Sequence, residues 1–182
     1  MKITIAGAGI AGLATALALD ADGHDIEIFE AVQEIKPLGV GINLLPHAAA
    51  VLNGLGVLDD LLKSGVATSE LGYFNRYGQK IWSESRGLYA GQKAPQVSIA
   101  RGELQRILLH HVQERLGESR IHSGHRLVNF SNKKDQAFAI FSTPSSNELT
   151  VHSDILICAD GIHSAARAQL YPDEGAPLYS GR

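Results

Sequence analysis

The stretch Lys2-Ile3-Thr4-Ile5-Ala6-Gly7-Ala8-Gly9-Ile10-Ala11-Gly12, with Asp25-Ile26-Glu27-Ile28-Phe29-Glu30 after it, decides the fold. It reads as strand, glycine turn, helix, strand. Ile3, Ile5 and Ala6 supply an apolar strand. Gly7 lets the chain reverse, Gly9 removes the Cβ where a pyrophosphate would approach, and Gly12 lets the helix pack close to the strand. A helix starting near Ile10, with Ala11 and Gly12 in its first turn, points its unbonded N–H groups and positive dipole end at that approach. Glu30 ends the second strand, 18 residues beyond Gly12, where a carboxylate can accept hydrogen bonds from a ribose diol. The spacing of glycines is weak by itself; in this setting it predicts a dinucleotide site. Neither Gly9 nor Glu30 is needed for packing alone, which favours a bound ligand over an empty fold of the same shape.

The rest of the composition narrows the class. At 182 residues, 45% hydrophobic and 19% charged, the chain has the size of one globular domain. A net charge of −3 offers no electrostatic case for nucleic acid or an anionic membrane. The single cysteine, Cys158, leaves no internal disulfide and no C-x-x-C motif. The N-terminus reads as a strand rather than a leader, and no apolar run has the length of a membrane span, so a cytoplasmic location is expected.

Downstream, Leu13, Ala16, Leu17 and Leu19 face one side of an alanine-rich helix that Asp22-Gly23 ends. Residues 33–47, with two glycines and two prolines, read as a loop laid along a ligand, where Lys36 could meet a phosphate. Pro46 suits a first helical turn, and residues 48–52 and 57–62 form a short helical pair. Residues 71–76 and 80–83 flank a hairpin turn at 77–79, rich in aromatic residues that fit strand packing. Arg101 stands before an amphipathic helix carrying Leu104, Ile107, Leu108 and Val112, closed by Gly117. His110 and His111 point to different helix faces, and His122 and His125 have no acidic or thiol companions, so a metal site is not expected.

Strands return at 120–123, 126–130, 136–141 and 149–152. Asp154-Ile155-Leu156-Ile157-Cys158 reads as a buried parallel strand. It runs into Ala159-Asp160-Gly161-Ile162-His163-Ser164, with Ser164 as N-cap of a last helix that ends before Pro172. A nucleophile elbow needs glycine two residues either side of its serine, and Ile162 and Ala166 stand there instead. A loop closing over the ligand of the first turn fits better, with Asp160 fixing backbone groups or ribose hydroxyls and Arg167 offering a phosphate partner.

Together these motifs resemble the group A flavoprotein aromatic monooxygenases, the family of para-hydroxybenzoate and salicylate hydroxylases. The likeness covers essentially the whole chain. The resemblance implies an α/β, Rossmann-like FAD-binding domain with a parallel sheet, a βαβ start and a three-stranded meander. Residues 1–70 and 97–182 would form it, and 71–96 would be a hairpin excursion into a substrate domain whose remainder is not in this sequence. It implies FAD as cofactor and NAD(P)H as reductant. The implied FAD ligands are Gly7, Gly9, Ala11, Gly12, Glu30, Lys36 (an arginine in most of the family), Arg101, Leu127 on a strand whose backbone meets adenine, and Asp160 of the Asp-Gly fingerprint. Residues 37–43, 82–87 and 101–109 are more similar to the phenazine hydroxylases within the family, so a small phenolic or phenazine-like aromatic substrate is implied.

In that family the reduced flavin takes up oxygen as a C4a-hydroperoxide and passes one oxygen atom to the ring. No residue of this chain is assigned as catalytic acid or base. The family's Gly-Asp segment has no counterpart before Arg182, which motivates an alternative: a truncated, inactive FAD-binding or partner-binding module that associates with itself or with a second-half chain. An NAD-dependent dehydrogenase fits the first thirty residues but explains neither residues 36–43 nor the Asp160 loop.

Overall fold

The structure, a computed structural model, describes residues 1–36, 39–175 and 178. Its strands and helices run, in chain order, β1 (Lys2–Ala6), α1 (Ile10–Ala21), β2 (Asp25–Glu30), β3 (Gly41–Leu44), α2 (Pro46–Gly54), α3 (Leu58–Ser64), β4 (Val66–Thr68), β5 (Glu70–Phe74) and β6 (Lys80–Ser85). They continue as β7 (Gln96–Ala100), α4 (Arg101–Leu116), β8 (Ile121–Ser123), β9 (Arg126–Lys133), β10 (Gln136–Ser142), β11 (Glu148–Ser153), β12 (Ile155–Cys158) and α5 (Ala165–Leu170). The chain divides into two compact units, residues 1–35 with 109–182, and residues 36–108.

The first unit is built on a parallel sheet of order β12-β1-β2-β8. Ile3 and Ile5 of β1 and Ile26 and Ile28 of β2 are buried, as are Leu13, Ala16 and Leu17 of α1. An antiparallel meander of order β11-β10-β9 adds a second sheet. Ala6 and Phe29 share a buried cluster with Leu127, Ala139, Phe141 and Val151 of that meander and Ala166 of α5. The rings of His122, Phe29 and Phe141 form a stack, with centroids 4.5 and 4.4 Å apart. A fully buried aromatic or branched side chain contributes roughly 1.5–3 kcal/mol, so this stack anchors the ends of β2 and β8 to the meander. The expected parallel sheet, βαβ start and meander are all present.

β12 corrects one expectation. It runs parallel to β1 as anticipated, but it is the edge of its sheet, and Ile155 is 39% exposed. A continuous apolar run usually marks a strand covered on both faces; here the meander packs against the sheet and, among the described residues, no strand pairs with the outer edge of β12.

In the second unit, β3-β7-β4 form an antiparallel sheet and β5-β6 a separate hairpin. Residues 41–44, read as loop from their glycines and prolines, are strand β3, paired residue for residue with Ala100 to Val97. Val97 and Ile99 on the central strand are buried, with Leu44, Leu52, Leu58 and Leu61 also in the core. Burial on β7 outweighed local turn propensity, and no single-strand pattern reveals such pairing. Pro37 and Leu38 of the expected loop lie outside the described residues. The hairpin forms where expected, with Tyr73 opposite Trp82, but its aromatic side chains are largely exposed. Arg101 is the first residue of α4 rather than the residue before it.

Candidate dinucleotide site

The end of β1 is fastened on both sides before the chain turns. Gly7 donates its N–H to the Phe29 carbonyl at 2.7 Å, and Ala159 donates to the Ala6 carbonyl at 2.8 Å. Gly7 has φ +106°, and a Cβ there would lie 2.3 Å from the Ala159 oxygen. A Cβ on Gly12 would lie 1.9 Å from the Gly7 oxygen. These two glycines are therefore set by protein packing. Gly9 is different. Its φ of −72° is open to any residue, and a Cβ there would meet nothing within 4 Å. Gly9 leaves open the space in front of α1.

That space faces donors. Leu13 is the first residue of α1 to bond back, to the Gly9 carbonyl at 3.0 Å, so the amides of Ile10, Ala11 and Gly12 have no intrahelical acceptor. No side chain caps the helix at Gly9. Ala11 itself is exposed. The arrangement favours an anion at the turn.

Glu30 holds the turn in shape. Its Oε2 accepts the Ala8 N–H at 2.7 Å and its Oε1 the Val32 N–H at 3.0 Å. A carboxylate has about four lone-pair sites, so both oxygens retain capacity for a diol. Asp160, across the site, likewise holds backbone: its Oδ2 accepts Ala165 N–H at 2.8 Å and Ala166 N–H at 3.4 Å, at the start of α5. Ser164 caps the same helix through the Arg167 N–H at 2.9 Å. Arg167 forms a two-pronged ion pair with Glu174, with Nε to Oε2 at 2.6 Å, which raises the arginine pKa and lowers that of the glutamate. Its guanidinium is committed within the chain rather than held out to a phosphate.

One cavity of about 270 Å³ gathers these pieces: Gly7 and Gly9, Glu30, Leu127, and Asp160 with Gly161 line it. His125, Arg126 and His163 line it as well, and the sequence reading did not pick them as site residues. His122 and His125 entered it only as metal candidates. Here they are ring partners of Phe29, and His125 Nδ1 lies 2.8 Å from the Ser123 carbonyl. Burial lowers the pKa of His122, as do the nearby His125 and Arg120 charges, while Glu27 opposes the shift. Arg126 was findable: it begins the strand that carries Leu127. Lys36 and Arg101 belong to the second unit, both exposed, and the Arg101 N–H bonds to the Val40 carbonyl at 3.0 Å. Among the described residues no group of three or more His, Cys, Asp or Glu could hold a metal ion.

A glycine turn against a helix end, an acid on the next strand and an Asp-Gly loop across the cavity are parts that suit a dinucleotide. Residues 1–176 match the family model described as FAD binding domain. The chain belongs to the family of FAD binding domains that this model describes. It is 44% identical over 174 residues to a phenazine 1,6-dicarboxylic acid hydroxylase from Lysobacter antibioticus, covering 94% of this chain and 43% of that relative. It is also similar to the crystal structure of Klebsiella pneumoniae R204Q HpxO complexed with FAD, with a TM-score of 0.77, 28% identity, and coverage of 93% and 42%. The fold matches that of p-nitrophenol 4-monooxygenase from Pseudomonas putida with a TM-score of 0.83 at 21% identity, covering 92% of this chain and 42% of the other. The chain thus spans under half the length of these relatives. No helix among the described residues is long and apolar enough to cross a membrane.

Proposed function

We propose that this chain binds FAD and forms the FAD-binding part of an NAD(P)H-dependent aromatic-ring monooxygenase. The observation that carries this reading is the open space over Gly9, bordered by the free amides of α1 and by the Glu30 and Asp160 carboxylates. In this reading the amides of Ile10, Ala11 and Gly12 receive the pyrophosphate, Glu30 the ribose diol, and the backbone at Leu127 the adenine. Asp160 holds the Asp-Gly loop through the first amides of α5. Lys36 and Arg101 are further FAD ligands that the family resemblance implies, and both are exposed.

Flavin held here would supply the redox chemistry that links NAD(P)H and oxygen to a small phenolic or phenazine-like ring. The chain's own residues bind and orient it; no proton-transfer step is assigned to them. The test is the absorbance of purified chain after incubation with FAD, beside an identical titration with NAD. A retained flavin band and a clear preference for FAD are expected, and no flavin uptake would overturn the reading.

A second reading is a non-catalytic FAD-holding module completed by another polypeptide. It is favoured by the open edge of β12 and an adjoining groove of about 780 Å³ lined by Phe130, Ile155, Leu156, Leu170 and Tyr171, since open edges with apolar neighbours invite pairing. Light scattering separates the two: a flavin-bound monomer that oxidises NAD(P)H in the presence of an aromatic substrate removes this alternative.

A further inference from the structure

Two backbone groups of strand β9 are answered by one side chain of helix α5. Phe130 donates its N–H to Gln169 Oε1 at 3.1 Å, and Gln169 Nε2 donates to the Phe130 carbonyl at 2.7 Å. In an antiparallel pair, alternate residues turn both backbone groups away from the partner strand. Phe130, opposite Ala139 of β10, is such a residue, and β9 is the outer strand of the meander. A side-chain amide carries one carbonyl oxygen and one NH2 group. Gln169 therefore pairs with this edge as a neighbouring strand would.

The place of that pair gives it a role. α5 has only six residues, far fewer than the roughly 12–15 that an isolated helix needs in water. Its position is set by what fastens it. Asp160 and Ser164 hold its start through the amides of Ala165, Ala166 and Arg167. Ala166 is buried in the same cluster as Leu127, and Gln169 ties the last turn to β9. The dinucleotide cavity draws its lining from both of the elements so joined. Asp160, Gly161 and Ala165 come from the loop and first turn of α5, and Arg126 and Leu127 come from β9. Gln169 is not one of the lining residues.

We infer that Gln169 is a positioning residue of the dinucleotide site. Its paired bonds to Phe130 set α5 along β9. Through the Ala165 and Ala166 amides, α5 in turn sets the Asp160 carboxylate and the Asp-Gly loop. The inference rests on the proposed FAD reading and adds to it a residue remote from the ligand. Gln169 is exposed, so its bonds can be removed without opening the core.

The experiment uses two variants of the 182-residue chain. Gln169→Met keeps the side chain's length and helix propensity and removes both bonds. Gln169→Glu keeps an acceptor for the Phe130 N–H but sets an oxygen against the Phe130 carbonyl, and it decides the matter should the first variant fail to fold. FAD affinity, read from quenching of flavin fluorescence, should fall about tenfold in each. Amide hydrogen exchange, followed by NMR in the flavin-free chain, should quicken at least fivefold at Ala165 and Ala166 as well as at Phe130. A bond of purely local effect would release Phe130 alone. Unchanged FAD affinity in a folded variant, or faster exchange confined to Phe130, would overturn the inference. A wild-type chain that takes up no flavin defeats the FAD reading alone, and exchange at Ala165 and Ala166 then decides whether Gln169 sets the loop.

Discussion

The glycine turn at 7–12 and the hairpin at 70–85 are both a strand entering a tight reversal, yet their surroundings differ. In the turn, Gly7 and Gly12 each face a backbone oxygen closer than a Cβ could approach. In the hairpin, the glycine at the reversal, Gly78, has nothing within 4 Å, and the ring of Phe74 folds over Gly72 at 2.9 Å from the position of its missing Cβ. Tyr73, Phe74 and Trp82 are about half exposed. The turn's shape is imposed by neighbours distant in sequence; the hairpin's is held by its own pairing, including Lys80 to Glu70 at 2.9 Å and Tyr73 beside Trp82. The lesson is that equal local signals carry unequal structural constraint.

The sharpest way to break this comparison is Gly12→Ala. Alanine gains about 1 kcal/mol of helix propensity over glycine, but the Gly7 oxygen cannot move without disturbing β1. Overpacking of this kind costs about 1–3 kcal/mol, and contact with a fixed backbone oxygen takes the upper end of that range, so a net loss of about 2 kcal/mol is expected in urea unfolding. An unchanged midpoint would show that the turn is as loose as the hairpin.

Gly9→Val sharpens the contrast inside the turn itself. Its backbone suits a side chain and its Cβ meets no protein atom, so stability should stay within about 0.5 kcal/mol. FAD affinity, measured by quenching of flavin fluorescence, should fall at least about a hundredfold, or about 2.7 kcal/mol. Equal FAD binding would remove the pyrophosphate from this place.

Acid reaches the core stack beside the turn before it reaches the hairpin. The folded pKa of His122 lies below its ordinary value of 6.5, first through burial. As pH falls below about 6.5 the unfolded chain therefore binds more protons than the folded one, and stability falls. The urea midpoint should drop between pH 7.5 and 5.5, and His122→Phe, which keeps the stack on Phe29, should lessen the drop. A pH-independent midpoint would contradict the burial of this ring.

The smallest effect is expected at Trp82→Ala. It removes an exposed cross-strand pair with Tyr73 at 5.8 Å between centroids, and such pairs contribute roughly 0.2–1 kcal/mol. A loss well above that range would mean that the hairpin face is covered in solution.

Much of the fold was legible because its signals are local. Strand β1, helix α1 and strand β2 follow from apolar periodicity and stop signals, and the Gly23 turn with φ +74° is where the sequence places it. β3 was not legible, because its reason is the buried strand β7 some fifty residues away. In the candidate site, Gly7, Gly9, Glu30, Leu127 and Asp160 are brought to one cavity as their motif suggests. Arg126 was legible from its place beside Leu127, whereas His125 before β9 and His163 before α5 join the cavity through long-range packing that no local pattern encodes.

The sequence by itself determined the βαβ start, the family and the chemistry of the glycine turn, since spacing, chirality and side-chain size act within a few residues. Tertiary structure alone decided which glycines serve the protein and which serve a ligand. That distinction is a matter of distance: Gly7 and Gly12 press on backbone oxygens, while Gly9 faces open space. It also decided that Arg167 answers Glu174, and that β12 is an edge. Long-range contacts set these outcomes, because burial and pairing are settled only when distant segments meet.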